Sequence, residues 1–145
     1  MHVKKISLKN FRNLEEMSIE LNNGTNIFYG DNAQGKTNIL ESIYVCAMGR
    51  SQRTRIDSQL IKFGEKEAHI QAYIDKNSLT DRIDVHLKKD GKKGIAVNSI
   101  PVKKYGELFG TLELVIFSPE DLQLIKSGPS ERRRFMDMEM CQISN

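Results

Sequence analysis

With 145 residues, 39% hydrophobic and 28% charged, the chain can bury one ordinary globular core, and its net charge of +3 permits contact with nucleic acid without arguing for it. Two cysteines with no CxxC spacing, and no histidines spaced along the chain as metal ligands, exclude a disulfide framework and predict idle thiols in a reducing compartment. No apolar run approaches membrane-spanning length, and the start Met1-His2-Val3-Lys4-Lys5 has no apolar core behind its basic residues, so the expected location is cytoplasmic, away from membranes.

Ile6 and Leu8 alternate as in a half-buried strand, and after Lys9-Asn10-Phe11-Arg12-Asn13 the alternation resumes at Met17, Ile19 and Leu21, which predicts a hairpin. Asn22-Asn23-Gly24 is turn chemistry and leads into Ile27-Phe28-Tyr29, read as a short buried strand. That run delivers the chain into Gly30-Asp31-Asn32-Ala33-Gln34-Gly35-Lys36-Thr37, which fills the G-x-x-x-x-G-K-[ST] pattern. Ile39, Leu40, Ile43, Tyr44 and Ala47 then recur at the spacing of one buried helix face, with Gly49 as its stop. Arg50-Ser51-Gln52-Arg53-Thr54-Arg55 is a basic loop, either a solvated connector or a contact to phosphate or DNA, and a short helix is predicted over 57–62.

From Ala68 the period is two: Ala68, Ile70, Ala72 and Ile74, a polar turn at Lys76-Asn77-Ser78, then Ile83, Val85 and Leu87. Asp90-Gly91 signals a second hairpin, and Ile95 and Val97 continue an antiparallel meander. The lysines of that turn, Lys88, Lys89, Lys92 and Lys93, read as a solvated tip or, less favoured, as a nucleic-acid contact. A short helix over 104–109 precedes Leu112-Glu113-Leu114-Val115-Ile116-Phe117, whose nearly continuous apolar character predicts a strand buried on both faces beside the phosphate-loop strand. Ser118-Pro119-Glu120-Asp121 spells a helix start, and Ser127-Gly128-Pro129 ends that helix and begins another carrying Arg132-Arg133-Arg134 and an apolar face of Met136, Met140 and Ile143.

The motif carries the chemistry. Four specified positions arise by chance in a chain of this length with a probability on the order of one percent or less, and the flanking strand and helix patterns make chance rarer still. Glycines let the backbone curl so that successive N–H groups form an anion nest, Lys36 reaches the β- and γ-phosphates, and the Thr37 hydroxyl takes one position on Mg²⁺. The sequence therefore predicts a nucleoside triphosphate site with Mg²⁺, with no statement about the reaction; ATP is the nucleotide that the resemblance below implies.

Three segments together resemble the RecF family of bacterial recombination-repair proteins within the SMC-like ABC ATPases. They are Lys9-Asn10-Phe11-Arg12-Asn13, the loop with its extension to Asn38-Ile39-Leu40-Glu41, and Ser118-Pro119-Glu120-Asp121-Leu122 through Gly128-Pro129-Ser130-Glu131-Arg132-Arg133-Arg134-Phe135-Met136-Asp137. The resemblance runs from end to end. It implies a mixed α/β P-loop fold, the first lobe of an ABC-type ATPase head. In it a core of about 1–64 and 111–121, with a central sheet around the phosphate-loop strand, carries an antiparallel β subdomain of about 65–110, and 122–145 begin a helical lobe. It also implies ATP-dependent DNA binding, an ATP-dependent homodimer, action with RecO and RecR, and loading of RecA at single-strand gaps or single/double-strand junctions. Gly30, Asp31, Asn32, Ala33, Gln34, Gly35, Lys36 and Thr37 would hold nucleotide and metal, with Arg12 and Asn13 flanking it.

The departures from the family pattern are a missing acid after the Leu114–Phe117 run, where Ser118 stands, and the absence of a signature loop, since Pro129 has no N–H to offer a γ-phosphate. On this reading the chain is an N-terminal portion that binds nucleotide without turning it over alone. Glu120, at the position of a Q-loop glutamine, is a weak catalytic candidate, with helix-start acid as the alternative. Arg50, Arg53, Arg55, Arg132, Arg133 and Arg134 are the DNA-contact candidates. A small P-loop kinase would use Lys36 and Thr37 equally, and a nucleotide-stabilised interaction module is a third reading; the β meander and the lack of a lid argue against the kinase.

Overall fold

A computed structural model describes residues 1–32, 34–76, 79–117 and 128–143. Six strands, β1 (His2–Phe11), β2 (Leu14–Glu20), β3 (Glu67–Lys76), β4 (Leu79–Lys88), β5 (Lys93–Val97) and β6 (Ile100–Pro101), form one antiparallel sheet in the order β2-β1-β3-β4-β5-β6. The period-two pattern sets the register, because a one-residue slip would turn every apolar side chain to water. In the observed register Ile19, Ile6, Ala72, Ile83 and Val97 stand side by side across five strands, and Met17, Leu8, Ile70, Val85 and Ile95 form the next row. The central residues of both rows are buried, each isoleucine, leucine or valine among them contributing about 1.5–3 kcal/mol of transfer free energy.

Helix α1 (Lys36–Met48) packs on this inner face against β1, β3 and β4. Its burial is wider than the single face read from the sequence, since Val45, Cys46 and Met48 are buried with Ile39, Tyr44 and Ala47, while Leu40 is exposed. The expected stop is in place: Gly49 closes α1 at φ 67°, with its N–H donating to Val45 O. Burial drives the Cys46 thiol far up from its ordinary value, aided by the Asp84 charge, so it is not a thiolate nucleophile.

The opening hairpin and the later meander belong to the same sheet, with β1 pairing β3 from His2↔Asp75 to Lys9↔His69. The Asp90-Gly91 hairpin turn is as expected, Gly91 lying at φ 86° with its N–H on Lys88 O. The two short helices are 3₁₀ turns, Asp57–Leu60 and Tyr105–Glu107. Two expected strands differ. Residues 27–29 and 112–117 are not strands of the sheet, and only one side of each is covered: Phe28, Leu114 and Ile116 pack on the core, while Ile27, Tyr29, Val115 and Phe117 face outward, Tyr29 at 91% and Val115 at 92% exposure. The apolar pattern marks segments able to be covered on both faces; ladder pairing depends on neighbouring strands, a non-local condition that the local pattern does not contain.

Helix α2 (Pro129–Ile143) starts at the proline, as its N1 preference requires, and exposes Met136 and Met140 of its expected apolar face. The helix start at Ser118-Pro119-Glu120-Asp121, and with it Glu120, lies outside the described residues.

Candidate nucleotide site

The loop is shaped by its glycines. Gly30 has φ 142° and Gly35 φ 94°, both in the region that side chains strain to reach, and a Cβ on Gly35 would stand 2.7 Å from Leu14 Cδ2. Gly35 is the N-cap of α1, and neither a capping side chain nor an acid in the first turn competes for the helix N-terminus. The positive end of the helix, with the N–H groups that a helix start leaves without intrahelical partners, is thus set toward an anion. Lys36, the first residue of α1, folds back on its loop, Nζ donating to Gly30 O at 2.6 Å and Asp31 O at 2.5 Å. Thr37 follows, its side chain exposed. Asp31, Asn32 and Gln34 are exposed along the loop, and Ala33 lies outside the described residues.

One turn into α1 lies a residue to which the sequence reading gave no role. Glu41 is fully buried and receives Arg12 in a bidentate grip, Nε to Oε2 at 3.0 Å and Nη2 to Oε1 at 2.7 Å. Arg53 Nη1 donates to Oε2 at 3.2 Å, and Ser51 Oγ donates to Oε1 at 2.6 Å. Burial alone would raise the Glu41 pKa; the hydrogen bonds from Arg12 and Ser51 and the two guanidinium charges outweigh it and hold the carboxyl below its ordinary value. Arg12 sits in the two-residue turn between β1 and β2 at φ 56°, with its N–H on Leu60 O and Nη1 on Gln59 O. Asn13, the next residue, accepts from Asn38 Nδ2 at 2.7 Å, and Arg53 Nη1 donates to Asn38 Oδ1 at 3.1 Å. A carboxylate on the helix that follows the phosphate loop thereby gathers Arg12, Asn13, Asn38 and Arg53 beside that loop. The available signal was an acid at a helix position facing the core, where an unpaired charge is too costly to stand.

A cleft of about 780 Å³ opens next to this cluster, lined in part by Arg12, Asn13, Asn38, Gln59, Lys62 and Phe63. Of the DNA-contact candidates, Arg53 is exposed, while its Nη1 is engaged with Glu41 and Asn38. Arg55 is exposed, Arg50 half-buried, and Arg132 and Arg133 are exposed on α2; the Arg134 side chain is outside the described set. The lysine turn divides: Lys93 Nζ is drawn in to Gly49 O at 2.8 Å and to Asp57 at 2.6 Å, where it caps the C-terminal end of α1, and Lys92 pairs with Asp90 at 3.3 Å.

A family model described as AAA domain matches residues 5–141. The chain belongs to the AAA-domain family. It is 54% identical over 143 residues to the DNA replication and repair protein RecF of Agathobacter rectalis, a match covering 99% of this chain and 40% of that protein. The RecF of Lachnospira eligens is 57% identical over 143 residues, with 99% and 39% covered. The chain therefore spans about two-fifths of the length of these curated relatives, their N-terminal part. Among solved structures, the recombination mediator protein RecF-ATPrS superposes at a TM-score of 0.89 with 40% identity, covering 98% of this chain and 38% of that one. An SMC ATPase superposes at 0.72 with 23% identity, over 95% of this chain and 99% of that one, and shares the fold. The fold is that of the P-loop ATPase heads of RecF and SMC proteins, mixed α/β with an antiparallel sheet.

Proposed function

We propose that this chain is the ATP-binding portion of a RecF-like DNA replication and repair ATPase. The observation that carries the reading is the loop itself. Two left-handed glycines, a lysine folded onto the loop carbonyls and an uncapped helix start form an anion cradle, in a chain 42% identical to a RecF solved with ATP.

In this reading the N–H groups of Gly30 to Thr37 bind the phosphates, and Lys36 exchanges its carbonyl partners for phosphate oxygens. Thr37 would hold Mg²⁺, which would supply positive charge against the phosphates. Arg12 and Asn13, set by Glu41 and Asn38, flank the nucleotide, and the neighbouring cleft takes its nucleoside end. DNA binding, RecA loading at single-strand gaps, the RecO and RecR partners, ATP-dependent pairing of two heads, hydrolysis in the intact protein and a cytoplasmic location complete the proposal by family likeness; among the described residues no helix is long and apolar enough to cross a membrane. The RecF matches favour this over a small kinase.

Calorimetric titration with Mg-ATP tests the site. Saturable binding by the wild-type chain, weakened about hundredfold in Lys36→Ala through loss of charge-assisted contacts worth about 3 kcal/mol, is expected; equal affinity in the two would remove the assignment.

A further inference from the structure

The face of the sheet turned away from α1 carries a second cluster that lies outside the nucleotide site. β3 and β4 pair so that His69 stands directly opposite His86, and Glu67 lies two residues before His69, hence on the same face. Glu67 Oε2 is 3.0 Å from His86 Nε2 and Oε1 is 3.6 Å from His69 Nε2, while the two imidazoles stack at 4.1 Å between centroids, 18° from parallel. One donor atom from each of the three residues falls within 4.8 Å of the others.

We propose that Glu67, His69 and His86 form a site for a divalent transition metal such as Zn²⁺ on the solvent-facing side of the sheet. The chemistry selects the ion: two imidazoles and one carboxylate suit Zn²⁺ and its first-row neighbours, whereas Mg²⁺ and Ca²⁺ take oxygen ligands. The spacing also fits. Ligands about 2.0–2.2 Å from a tetrahedral ion lie about 3.3–3.6 Å from one another; each Nε2 faces its own oxygen of the Glu67 carboxylate, at 3.0 and 3.6 Å, and one donor atom from each residue lies within 4.8 Å of the others, so short side-chain adjustments bring the set to that spacing.

Both Nε2 atoms already face one carboxylate; the metal replaces those contacts once the stacked rings turn to aim their in-plane lone pairs at it, a reorientation open to partly exposed side chains. Gly94, opposite His86 on β5, leaves the next position open, and a shallow cavity of about 330 Å³ beside the imidazoles provides room for a water as fourth ligand. Asp84, also on that cavity, is held by Gln71 and Arg82 and is not counted among the ligands. Lys9 and Lys88 pair across from His69 and Glu67; both are exposed, and their long side chains can extend into water. An open three-ligand site on two adjacent strands clips β3 to β4 and stabilises the sheet by mass action when metal is present.

The test is titration of the chelator-treated full chain with ZnCl₂ alone, without nucleotide, by calorimetry. One equivalent is expected to bind. His69→Ala or His86→Ala should each weaken it about tenfold or more, and the double variant should abolish it. His2→Ala, outside the cluster, should bind as wild type. In the wild-type chain Zn²⁺ should shift the ring nitrogen resonances of His69 and His86 and leave those of His2 in place, a readout that needs no variant to fold. Absence of saturable binding, equal binding by the double variant, or ring shifts confined to His2 would each overturn the site. None of these outcomes depends on ATP binding, which occupies the opposite face.

Discussion

Glu41 and Glu67 are each a single carboxylate gripped by two nitrogen-bearing side chains, yet they do opposite things. Glu41 is buried among Arg12, Arg53 and Ser51, and a guanidinium has no lone pair to give and does not lose its charge. That cluster holds one arrangement and serves to position the residues beside the phosphate loop. Glu67 is half exposed between His69 and His86, whose neutral rings each carry a lone pair, so that cluster can trade its protons for a metal. Burial and nitrogen chemistry, rather than the carboxylate, separate a scaffold from a ligand site.

Breaking the scaffold should have the largest effect. Glu41→Ala strands two guanidinium groups at the helix and is expected to cost about 3 kcal/mol, the lower end for a broken buried pair because the arginines keep some solvent; a denaturant midpoint shift at constant m checks it. Gly35→Ala places a side chain at a left-handed φ and against Leu14, and should lose about 1–3 kcal/mol together with Mg-ATP affinity. The pH dependence follows from the Glu41 shift. Because the folded carboxyl holds its proton less tightly than the unfolded one, the stabilisation is complete above the ordinary value of 4.5 and is lost as pH falls through the lowered folded value. Wild type should therefore lose stability below that point more steeply than Glu41→Gln in acid titrations of the denaturant midpoint. The smallest effect belongs to the exposed cluster: Glu67→Gln in metal-free buffer should leave the midpoint unchanged, and a large loss there would erase the contrast between the two carboxylates.

The proposed DNA binding gives a test at the surface. Replacing Arg132 and Arg133 with alanine should lower salt-sensitive DNA affinity and flatten its salt slope, whereas Arg53→Ala should mainly loosen the Glu41 cluster. Fluorescence anisotropy at several salt concentrations separates the two.

What the sequence made legible is local. The phosphate loop, the alternation of Ile70-Ala72-Ile74 with Ile83-Val85-Leu87, the Asp90-Gly91 turn and the Gly49 stop each depend on residues a few positions apart. The unread parts depend on register or burial. Linear spacing hides the approach of His69 to His86, which exists only because β3 and β4 pair residues equally distant from their connecting turn. Glu41 as a hub required knowing that a turn between strands and a loop after α1 would both arrive at one helix face. The Asn98-Ser99 turn, with φ of 50° and 69°, carries no glycine to announce it.

Amide mapping by NMR tests the central claim most directly. Added Mg-ATP should shift the amides of Gly30–Thr37 and the Arg12–Asn13 turn, and leave those of Glu67, His69 and His86 in place. Shifts spread over the outer face with the loop untouched would contradict the account.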